Sequence, residues 1–425
     1  MKLFKMLIDG VAIESKAGKV AVIKNPANQE PVATVSLGGR EDAALALGAA
    51  KRAFSGWAKT DPEERGALLH RAAGLVRERS EEIALLLTME QGKPLRYARR
   101  EVVGSAEALD LYAEEGKRNF GEVVPQSSSR SRSMVIRQPL GVAAVISPWN
   151  YPVDLLAWKL APALAAGCTV VAKPSSKAPL AATEFVMAVT EAGLPPGVMN
   201  LVHGTGGEVE SCMYRAFSNM GQICISVNRI YVHDSVAEEF ADALVKKTKG
   251  LKIGDGLYPE VDLGPMFSEA QRKKTEDHIA DALDKGATVL CGGRRPEGDE
   301  FCRGFFFLPT VLDRMDPSMR MMREETFGPV APMMSFSANE EALRLANDSR
   351  YGLAAYVFTE DMTTAFWFAE RLEAGSVGIN LNNVIVPQAP FGGWKESGLG
   401  RERSRAALYE YMEEKHIRIG LEEGI

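Results

Sequence analysis

The sequence of 425 residues predicts an α/β protein with two domains, each built on a parallel sheet. Two series of short apolar runs alternate with helical segments, and strands that alternate with helices form parallel βαβ units. The length agrees with this prediction, because a domain averages roughly 150 residues and two or three domains are expected. The composition, with 46% hydrophobic and 25% charged residues, is ordinary for a globular protein.

The first series predicts a βαβαβ unit in the N-terminal half of the chain. Its apolar runs are 142–147, 169–172 and 198–202. They are continuously hydrophobic, as expected of strands buried on both faces of a sheet. The segments between them, 154–166 and 179–192, have the length and periodicity of helices.

The second series predicts another α/β domain, and helices precede the first series. Strands of the second series are predicted at 229–232, 288–291, 330–336, 354–358 and 376–381. Near the N-terminus, Asp61 and Pro62 start a helix whose periodicity continues to Glu90. The charged tail from about Gly398 is expected to leave the body of its domain.

Charge and cysteine content exclude several classes of partner. The net charge is −6, so we expect neither nucleic acid nor an anionic membrane as a partner. No apolar run approaches the ~20 residues of a membrane span, and the first residues lack the pattern of a signal peptide. Five scattered cysteines without a CxxC pair, and histidines without ligand spacing, predict neither disulfide nor metal. We therefore expect a cytoplasmic protein.

Polar residues follow the ends of two predicted strands, where open α/β sheets bind ligands. Asn150, in the sequence PWNYP at 148–152, can donate an N–H to a developing oxyanion, or it can simply cap a turn. Lys173 can reach ribose hydroxyls, or it can be an ordinary solvated lysine. The glycines of 203–207 lack GxGxxG spacing and indicate a plain turn.

Cys224 ends the stretch FSNMGQIC at 217–224, directly after a Gly-Gln turn. A lone cysteine is usually a small buried apolar residue. The other interpretation is a nucleophile, because a thiolate attacks carbonyl carbon readily.

Five motifs together resemble the aldehyde dehydrogenase superfamily over nearly the whole chain, closest to members like succinate-semialdehyde dehydrogenases. The motifs are PWNYP at 148–152, AKPS at 172–175, FSNMGQIC at 217–224, EETFGPV at 324–330 and PFGGWKESGLGRE at 390–402. The resemblance implies a Rossmann-like cofactor domain, a catalytic domain and a small β oligomerisation arm.

The resemblance implies catalytic roles for two residues. Cys224 matches the nucleophile that attacks an aldehyde, and Asn150, with the backbone N–H of Cys224, matches the oxyanion hole of the thiohemiacetal. Hydride then passes to NAD or NADP and leaves a thioester, which water converts to a carboxylic acid.

The resemblance also implies a cofactor site. Lys173 and Glu325 match residues that bind ribose hydroxyls, Phe327 an aromatic ring beside the nicotinamide, and Trp149 a wall near the pyrophosphate. Many relatives selective for NAD carry a glutamate after Lys-Pro-Ser. Here Ser176 takes that place, followed by a lysine, which favours NADP with NAD as the alternative.

One part of the family pattern is missing. Neither the Phe-Thr-Gly-Ser turn nor the Glu-Leu-Gly-Gly segment that carries the general base occurs in the chain, which indicates an internal deletion near 207–211. We expect the sheet to lose a strand and gain an exposed edge, and the cofactor to lose a phosphate-binding turn. Glu208, Glu210 and Glu402 are candidate substitute bases, and the alternative role of Glu402 is a structural ion pair.

The resemblance divides the chain into three parts. The truncated cofactor domain is 1–120 with 141–210, the catalytic domain is 211–397, and the arm and tail are 121–140 with 398–425. Because the strand near 133–137 and the tail resemble the dimerising elements of the family, we expect a homodimer or homotetramer.

Two functions follow from these observations. The first is an oxidoreductase that converts an aldehyde to a carboxylic acid with NAD(P)+. The second is a catalytically impaired relative with a binding or subunit role only. For the substrate, a broad range of aliphatic aldehydes comes first and succinate semialdehyde second. The segment ending at Arg118 resembles a carboxylate-binding segment, whereas Ser218 stands where a second arginine is expected.

Overall fold

The structure is a computed structural model that describes residues 1–125, 131–204, 213–214, 217–381 and 384–420. Glu208, Glu210, the deletion point near 207–211 and most of the glycine turn at 203–207 lie outside the described residues.

The described residues form helices and strands in an alternating order. The helices are α1 (Arg40–Trp57), α2 (Pro62–Glu78), α3 (Ser80–Gln91), α4 (Leu95–Glu115), α5 (Asp154–Ala166), α6 (Leu180–Glu191), α7 (Ala237–Lys249), α8 (Glu269–Asp284), α9 (Arg320–Arg323), α10 (Asn339–Asn347), α11 (Met362–Ala369) and α12 (Ser404–Tyr409). The strands are β1 (Leu3–Phe4), β2 (Met6–Ile8), β3 (Val11–Ile13), β4 (Val20–Lys24), β5 (Pro31–Ser36), β6 (Glu122–Val124), β7 (Ser131–Pro139), β8 (Val142–Ile146), β9 (Thr169–Lys173), β10 (Met199–Leu201), β11 (Met213–Tyr214), β12 (Cys224–Ile225), β13 (Ile230–His233), β14 (Thr288–Cys291), β15 (Thr310–Asp313), β16 (Val330–Phe336), β17 (Tyr351–Gly352), β18 (Ala354–Val357), β19 (Ser376–Ile379), β20 (Trp394–Lys395) and β21 (Met412–Gly420).

The predicted βαβαβ unit is confirmed. β8, β9 and β10 pair in parallel and are joined by α5 and α6. The N-terminal hairpin β2–β3 extends this sheet beyond β10 in antiparallel fashion, giving the order β3-β2-β10-β9-β8. Within the described residues β8 is therefore an edge strand, and its Ile146 is 58% exposed.

The helices α2 to α6 bury a common core with this sheet. Asp61 precedes α2 and Pro62 occupies its first turn, as the sequence predicts. The helix predicted to run to Glu90 is broken at Arg79, where the backbone turns (φ −96°, ψ 8°) and α3 begins. Trp57 is among the largest buried side chains, and its indole N–H donates to the carbonyl of Leu164 over 3.2 Å.

The second series of strands also forms, but in two separate sheets. β13, β16, β15 and β14 make one sheet in that order, in which β14 is antiparallel. β18 and β19 pair in parallel with each other in a two-stranded sheet. Such a small sheet has few partners, and its neighbours Phe358 and Phe366 are exposed.

The arm and tail form a third region. β7 and β21 pair along nine antiparallel positions, and β6 adds a third strand. The first part of the charged tail packs against helices of the N-terminal half, outside the predicted catalytic domain of 211–397. α12 packs against α4 and α5, because Ala407 and Leu408 are apolar and enter the main core. Among the described helices, none is long and apolar enough to cross a membrane.

Candidate active site

The loop before Cys224 has an unusual backbone. Asn219, Met220 and Gly221 all have positive φ, between 49° and 73°. At Gly221 a Cβ atom would lie 2.1 Å from the carbonyl oxygen of Gly328, so only glycine allows the two loops to approach this closely. Positive φ at ordinary residues costs energy and clusters at functional sites. The fold therefore holds the cysteine loop tightly against the segment that carries Glu325 and Phe327.

Asn150 lies beside the cysteine loop. Its Nδ2 donates to the carbonyl oxygen of Gln222 over 3.2 Å, and its Oδ1 is buried without a hydrogen-bond partner among the described residues. Gln222 is itself fixed, because its Oε1 accepts from the backbone N–H of Phe267 over 2.9 Å. The structure thus brings together Asn150 and the loop that ends at Cys224.

Aromatic rings surround this junction. Trp149 stacks on Phe267 with ring centroids 4.2 Å apart and meets Phe327 edge to face at 5.6 Å. Trp149 and Phe327 are buried and share one apolar cluster with Ile223 and the partly buried Cys224. Phe327 has φ 58°, a strained value for an aromatic residue. An apolar chain carrying a reactive carbonyl would find hydrophobic walls here.

The thiol of Cys224 is surrounded by four charged groups. Burial is the main cause that raises the pKa of Cys224, to about 12, and the carboxylate of Glu402 acts in the same direction. Arg403 and Lys159 lower the pKa by smaller amounts, and Asp154 raises it. At neutral pH the resting group is therefore the neutral thiol.

The same four residues form two ion pairs. Lys159 binds the carboxylate of Glu402, and Arg403 lies 3.4 Å from Asp154. The guanidinium of Arg403 also lies over the ring of Trp158, 4.0 Å from its centroid. Glu402 is anchored through its backbone, which exchanges two hydrogen bonds with Phe391. A carboxylate that lies 178 residues beyond the cysteine in the chain is thus an electrostatic neighbour of the thiol.

Lys173 ends β9, and Ser176 lies in the turn that follows it. The ammonium of Lys173 donates to the carbonyls of Pro174 and Gly204, each over 3.2 Å. Burial lowers the pKa of Lys173. Ser176 is partly buried and the next residue, Lys177, is exposed. These hydroxyl and ammonium donors at a strand end fit the ribose and 2′-phosphate of a dinucleotide.

Glu325 is partly buried on a loop held by α8. The amide of Gln271 donates to the carbonyls of both Thr326 and Phe327 over 2.9 Å. His278, which is fully buried, contacts the hydroxyl of Thr326 at 3.1 Å. Hydrogen bonds to its backbone carbonyls therefore fix the loop that carries Glu325 and Phe327.

Sequence analysis missed a buried polar cluster under Asn150. Lys93 and Glu101 have fully buried side chains that form an ion pair of 2.5 Å. The ammonium of Lys93 also donates to the backbone carbonyl of Asn150 over 2.7 Å. Lysine and glutamate are ordinary surface residues of helices, so no local pattern distinguishes these two.

Arg118 lies just beyond the end of α4. Its guanidinium donates to Glu115 over 2.7 Å at the end of α4. It is not among the charges that most affect Cys224. Ser218 lies in the cysteine loop, where it precedes Asn219.

The family model described as the aldehyde dehydrogenase family matches residues 13–216 and 207–417. The chain belongs to the aldehyde dehydrogenase family. It is 37% identical to a 3-sulfolactaldehyde dehydrogenase of Pseudomonas putida over 471 aligned positions, covering 97% of this chain and 96% of that protein. It is 36% identical to the NADP(+) succinate-semialdehyde dehydrogenase of Escherichia coli K12, covering 98% and 97%.

Solved structures agree with this membership. An NADP-dependent enzyme of Escherichia coli superimposes with a TM-score of 0.95 at 36% identity, covering 98% of each chain. A betaine aldehyde dehydrogenase of Staphylococcus aureus in complex with NAD+ gives 0.95 at 33% identity, covering 99% of this chain and 96% of that one. This aldehyde dehydrogenase is by family an NAD(P)-dependent oxidoreductase, and its α/β fold is that of the family.

Proposed function

We propose that this aldehyde dehydrogenase oxidises an aldehyde through a covalent adduct at Cys224, with NAD(P)+ as the hydride acceptor, and hydrolyses the resulting thioester slowly. The observation that carries the proposal is the contact between Asn150 and the cysteine loop, within a cluster of buried aromatic rings. A nucleophile, an oxyanion donor and an apolar wall lie together, as acyl transfer requires.

The chemistry at Cys224 begins with loss of the thiol proton. The thiolate attacks the carbonyl carbon, and the oxygen becomes an oxyanion that accepts hydrogen bonds from Nδ2 of Asn150 and the backbone N–H of Cys224. NAD(P)+, when bound, would accept hydride from this adduct. The loss of hydride converts the adduct to a thioester. Addition of water then breaks the carbon–sulfur bond, releases the carboxylic acid and returns the thiol.

Lys173 and Ser176 are proposed to hold the adenosine ribose, with Glu325 on the nicotinamide ribose and Phe327 beside the nicotinamide ring. Trp149 is proposed as a wall near the pyrophosphate. The support is the position of Lys173 and Ser176 at a strand's carboxyl end and the fixed loop of Glu325. Ser176 and the exposed Lys177 favour NADP, because a hydroxyl and an ammonium suit a 2′-phosphate.

A missing segment near 207–211 is the proposed reason for slow hydrolysis. Four observations support it. The alignment with the Pseudomonas putida relative has 471 positions, more than the 425 residues of the chain, and the two family matches meet at 207–216. Among the described residues, β8 is an edge strand, and β18 and β19 pair only with each other. The loss of strands that once lay between these elements would expose β8 as an edge and separate β18–β19 from a larger sheet.

Glu402 is the proposed substitute base. Its carboxylate is an electrostatic neighbour of the thiol, and its partner Lys159 lies on α5. Because Lys159 holds this carboxylate in an ion pair, Glu402 is proposed to replace the missing general base only in part. A positioned base contributes about 10²–10⁴ in rate, so hydrolysis is expected to be the slow step.

A second candidate function is binding without turnover. The observation that favours it is the high pKa of Cys224, which leaves the nucleophile protonated at neutral pH. For the substrate, the aromatic lining favours aliphatic aldehydes. The names of the relatives keep succinate semialdehyde as the second candidate.

The test is a rapid mix of the protein with NADP+ and an aliphatic aldehyde. We expect a burst of reduced cofactor near one equivalent per subunit, slow turnover afterwards, and an acyl adduct on Cys224 by mass spectrometry. Cys224→Ala should abolish the burst, and Glu402→Gln should slow the later phase without reducing the burst.

Two outcomes would contradict the proposal. Steady turnover of ~10 s⁻¹, ordinary for an enzyme, would mean that the base is intact. The absence of both burst and adduct would leave binding alone as the function.

A further inference from the structure

We propose that Lys93 and Glu101, two buried residues outside the reacting groups, are positioning residues that hold Asn150 against the cysteine loop. The inference rests on the proposed function, because it assigns these residues to the oxyanion hole that Asn150 and Cys224 would form. It is carried by hydrogen bonds that link both loops to one short segment, residues 91–101.

Lys93 contacts the backbone of the Asn150 loop. It lies between α3 and α4, and its ammonium is wholly enclosed. It donates to the backbone carbonyl of Asn150 over 2.7 Å and lies 3.7 Å from the ring centroid of Tyr151. The lysine therefore fixes the main chain of the residue whose side chain points to the cysteine loop.

Glu101 fixes the next residues of the same loop. One carboxylate oxygen binds Lys93 at 2.5 Å. The other accepts from the backbone N–H groups of Val153 and Asp154, over 3.0 and 3.3 Å, at the start of α5. A carboxylate at a helix N-terminus satisfies free N–H groups and faces the positive end of the dipole.

The same segment reaches the cysteine loop through Gln91. Its Oε1 accepts from the backbone N–H of Lys93 over 3.0 Å, and its Nε2 donates to Asn219 over 3.1 Å. Asn219 in turn donates to the carbonyl oxygen of Gln222 over 3.4 Å, the atom that also accepts from Asn150. The segment thus contacts both loops, which meet at a single carbonyl.

Energetics supports a geometric role. Burying an ion pair removes the hydration of both charges, and replacing such a pair by apolar residues is often neutral or stabilising. Burial lowers the pKa of Lys93 and raises that of Glu101, so each needs the other to stay charged. The stability of the fold therefore gives little reason for a charged pair here. The directional bonds from this pair to Asn150 and to the start of α5 instead fix the position of the Asn150 loop.

The test compares two reactions of the same thiol without cofactor. 4-Nitrophenyl acetate acylates sulfur through a tetrahedral oxyanion and releases 4-nitrophenolate, whereas iodoacetamide alkylates it by displacing iodide with no oxyanion. Both adducts are quantified on the Cys224 peptide by mass spectrometry. We expect Lys93→Met to slow acylation at least tenfold and to change alkylation less than threefold. Lys93 is not among the charges that most affect Cys224.

Controls separate position from stability. Lys285→Met removes another ion-paired lysine, 2.8 Å from Asp281 on the surface, and should change neither rate. Lys93→Met leaves Glu101 buried without its ion-pair partner and is expected to destabilise the fold, so Lys93→Met/Glu101→Gln removes both charges together. The double variant should fold and show the same selective loss of acylation.

Asn150→Ala distinguishes the two levels of the proposal. If Asn150→Ala slows acylation and the Lys93 variants do not, the positioning role is overturned and the proposed function stands. If Asn150→Ala leaves acylation unchanged, the oxyanion hole itself is wrong. With Asn150→Ala as background, Lys93→Met should have no further effect, because the residue it positions is absent.

Discussion

At Cys224, burial and the Glu402 carboxylate act in the same direction, since both favour the protonated thiol. Together they raise the pKa of Cys224 to about 12, so the neutral thiol is the main form near neutral pH. A nucleophilic cysteine usually has a lowered pKa, because the thiolate is the reactive form. Cys224 therefore lies where the resemblance expects a nucleophile, but its thiol is protonated like that of an ordinary buried cysteine. A nearby base has to remove this proton before the sulfur can attack.

The first prediction concerns the pH dependence of Cys224 alkylation. Because only the thiolate reacts, the rate with iodoacetamide should rise about tenfold per pH unit from pH 6 to 10 without levelling off. Glutathione, a free thiol, should level off near pH 9 under the same conditions. Peptide-resolved mass spectrometry measures the rate at Cys224 separately from the exposed Cys302. A plateau below pH 8 would show that the folded protein lowers the pKa of Cys224.

The second prediction concerns cofactor choice at Lys177. Replacing this exposed lysine by glutamate places a carboxylate where a 2′-phosphate is proposed, and like charges repel. We expect Lys177→Glu to weaken NADP+ by about tenfold, or about 1.4 kcal/mol, relative to NAD+. Fluorescence titration of both cofactors measures the ratio, with Lys285→Glu as the surface control. Two results would contradict a role for Lys177 in cofactor choice. One is an unchanged ratio of NADP+ to NAD+ affinity in Lys177→Glu, and the other is a wild-type protein that binds NAD+ tenfold more tightly than NADP+.

Among the elements, β8 has the most unusual surroundings. It is an apolar strand that pairs with β9 on one side and ends the sheet on the other, among the described residues. Val145 is buried and Ile146 exposed, so the two neighbours differ sharply in environment. Long apolar edges promote association between sheets, and charged residues on an edge suppress it.

The third prediction compares these two neighbours. Ile146→Lys should change the free energy of unfolding by less than about 0.5 kcal/mol and reduce aggregation on heating, because the side chain already faces solvent. Val145→Lys is the matched control and should destabilise by more than about 3 kcal/mol, because it buries an unpaired charge. Chemical denaturation and light scattering measure both effects. A strong loss of stability in Ile146→Lys would show that another part of the protein covers this edge.

At the scale of the whole molecule, the arm is the feature that favours association with another subunit. β6, β7 and β21 form a three-stranded sheet whose strand β21 is mostly exposed. Valines on β6 are also exposed, including Val123 at 78%. A small sheet with an uncovered apolar side gains stability when another surface packs on it.

The fourth prediction is that the protein is a homodimer or homotetramer through this arm. Light scattering at micromolar concentration should give at least twice the mass of 46.2 kDa. Val123→Lys should lower the oligomeric mass, because it places a charge on the proposed contact surface. Ile146→Lys provides the control on a different edge and should leave the mass unchanged. A monomer in the wild-type protein would contradict the arm's role.

Much of this architecture is determined by local sequence. Apolar runs and helical periodicity predict β8, α5, β9, α6 and β10 within one or two residues. Burial explains the apolar run of β10, whereas β8 is also apolar but partly exposed at the edge of the described sheet. Motifs around Asn150 and Cys224 also identify the family and predict the site from the chain alone. These properties depend on residues that are close together in the sequence.

Contacts between distant residues were decided only by the tertiary structure. Lys93 meets Asn150 across 57 positions, and Lys159 meets Glu402 across 243, distances at which no periodicity carries information. The break at Arg79 and the burial of α12 likewise follow from packing. A charged residue is buried only where a partner compensates its lost hydration, and that partner is supplied by the fold.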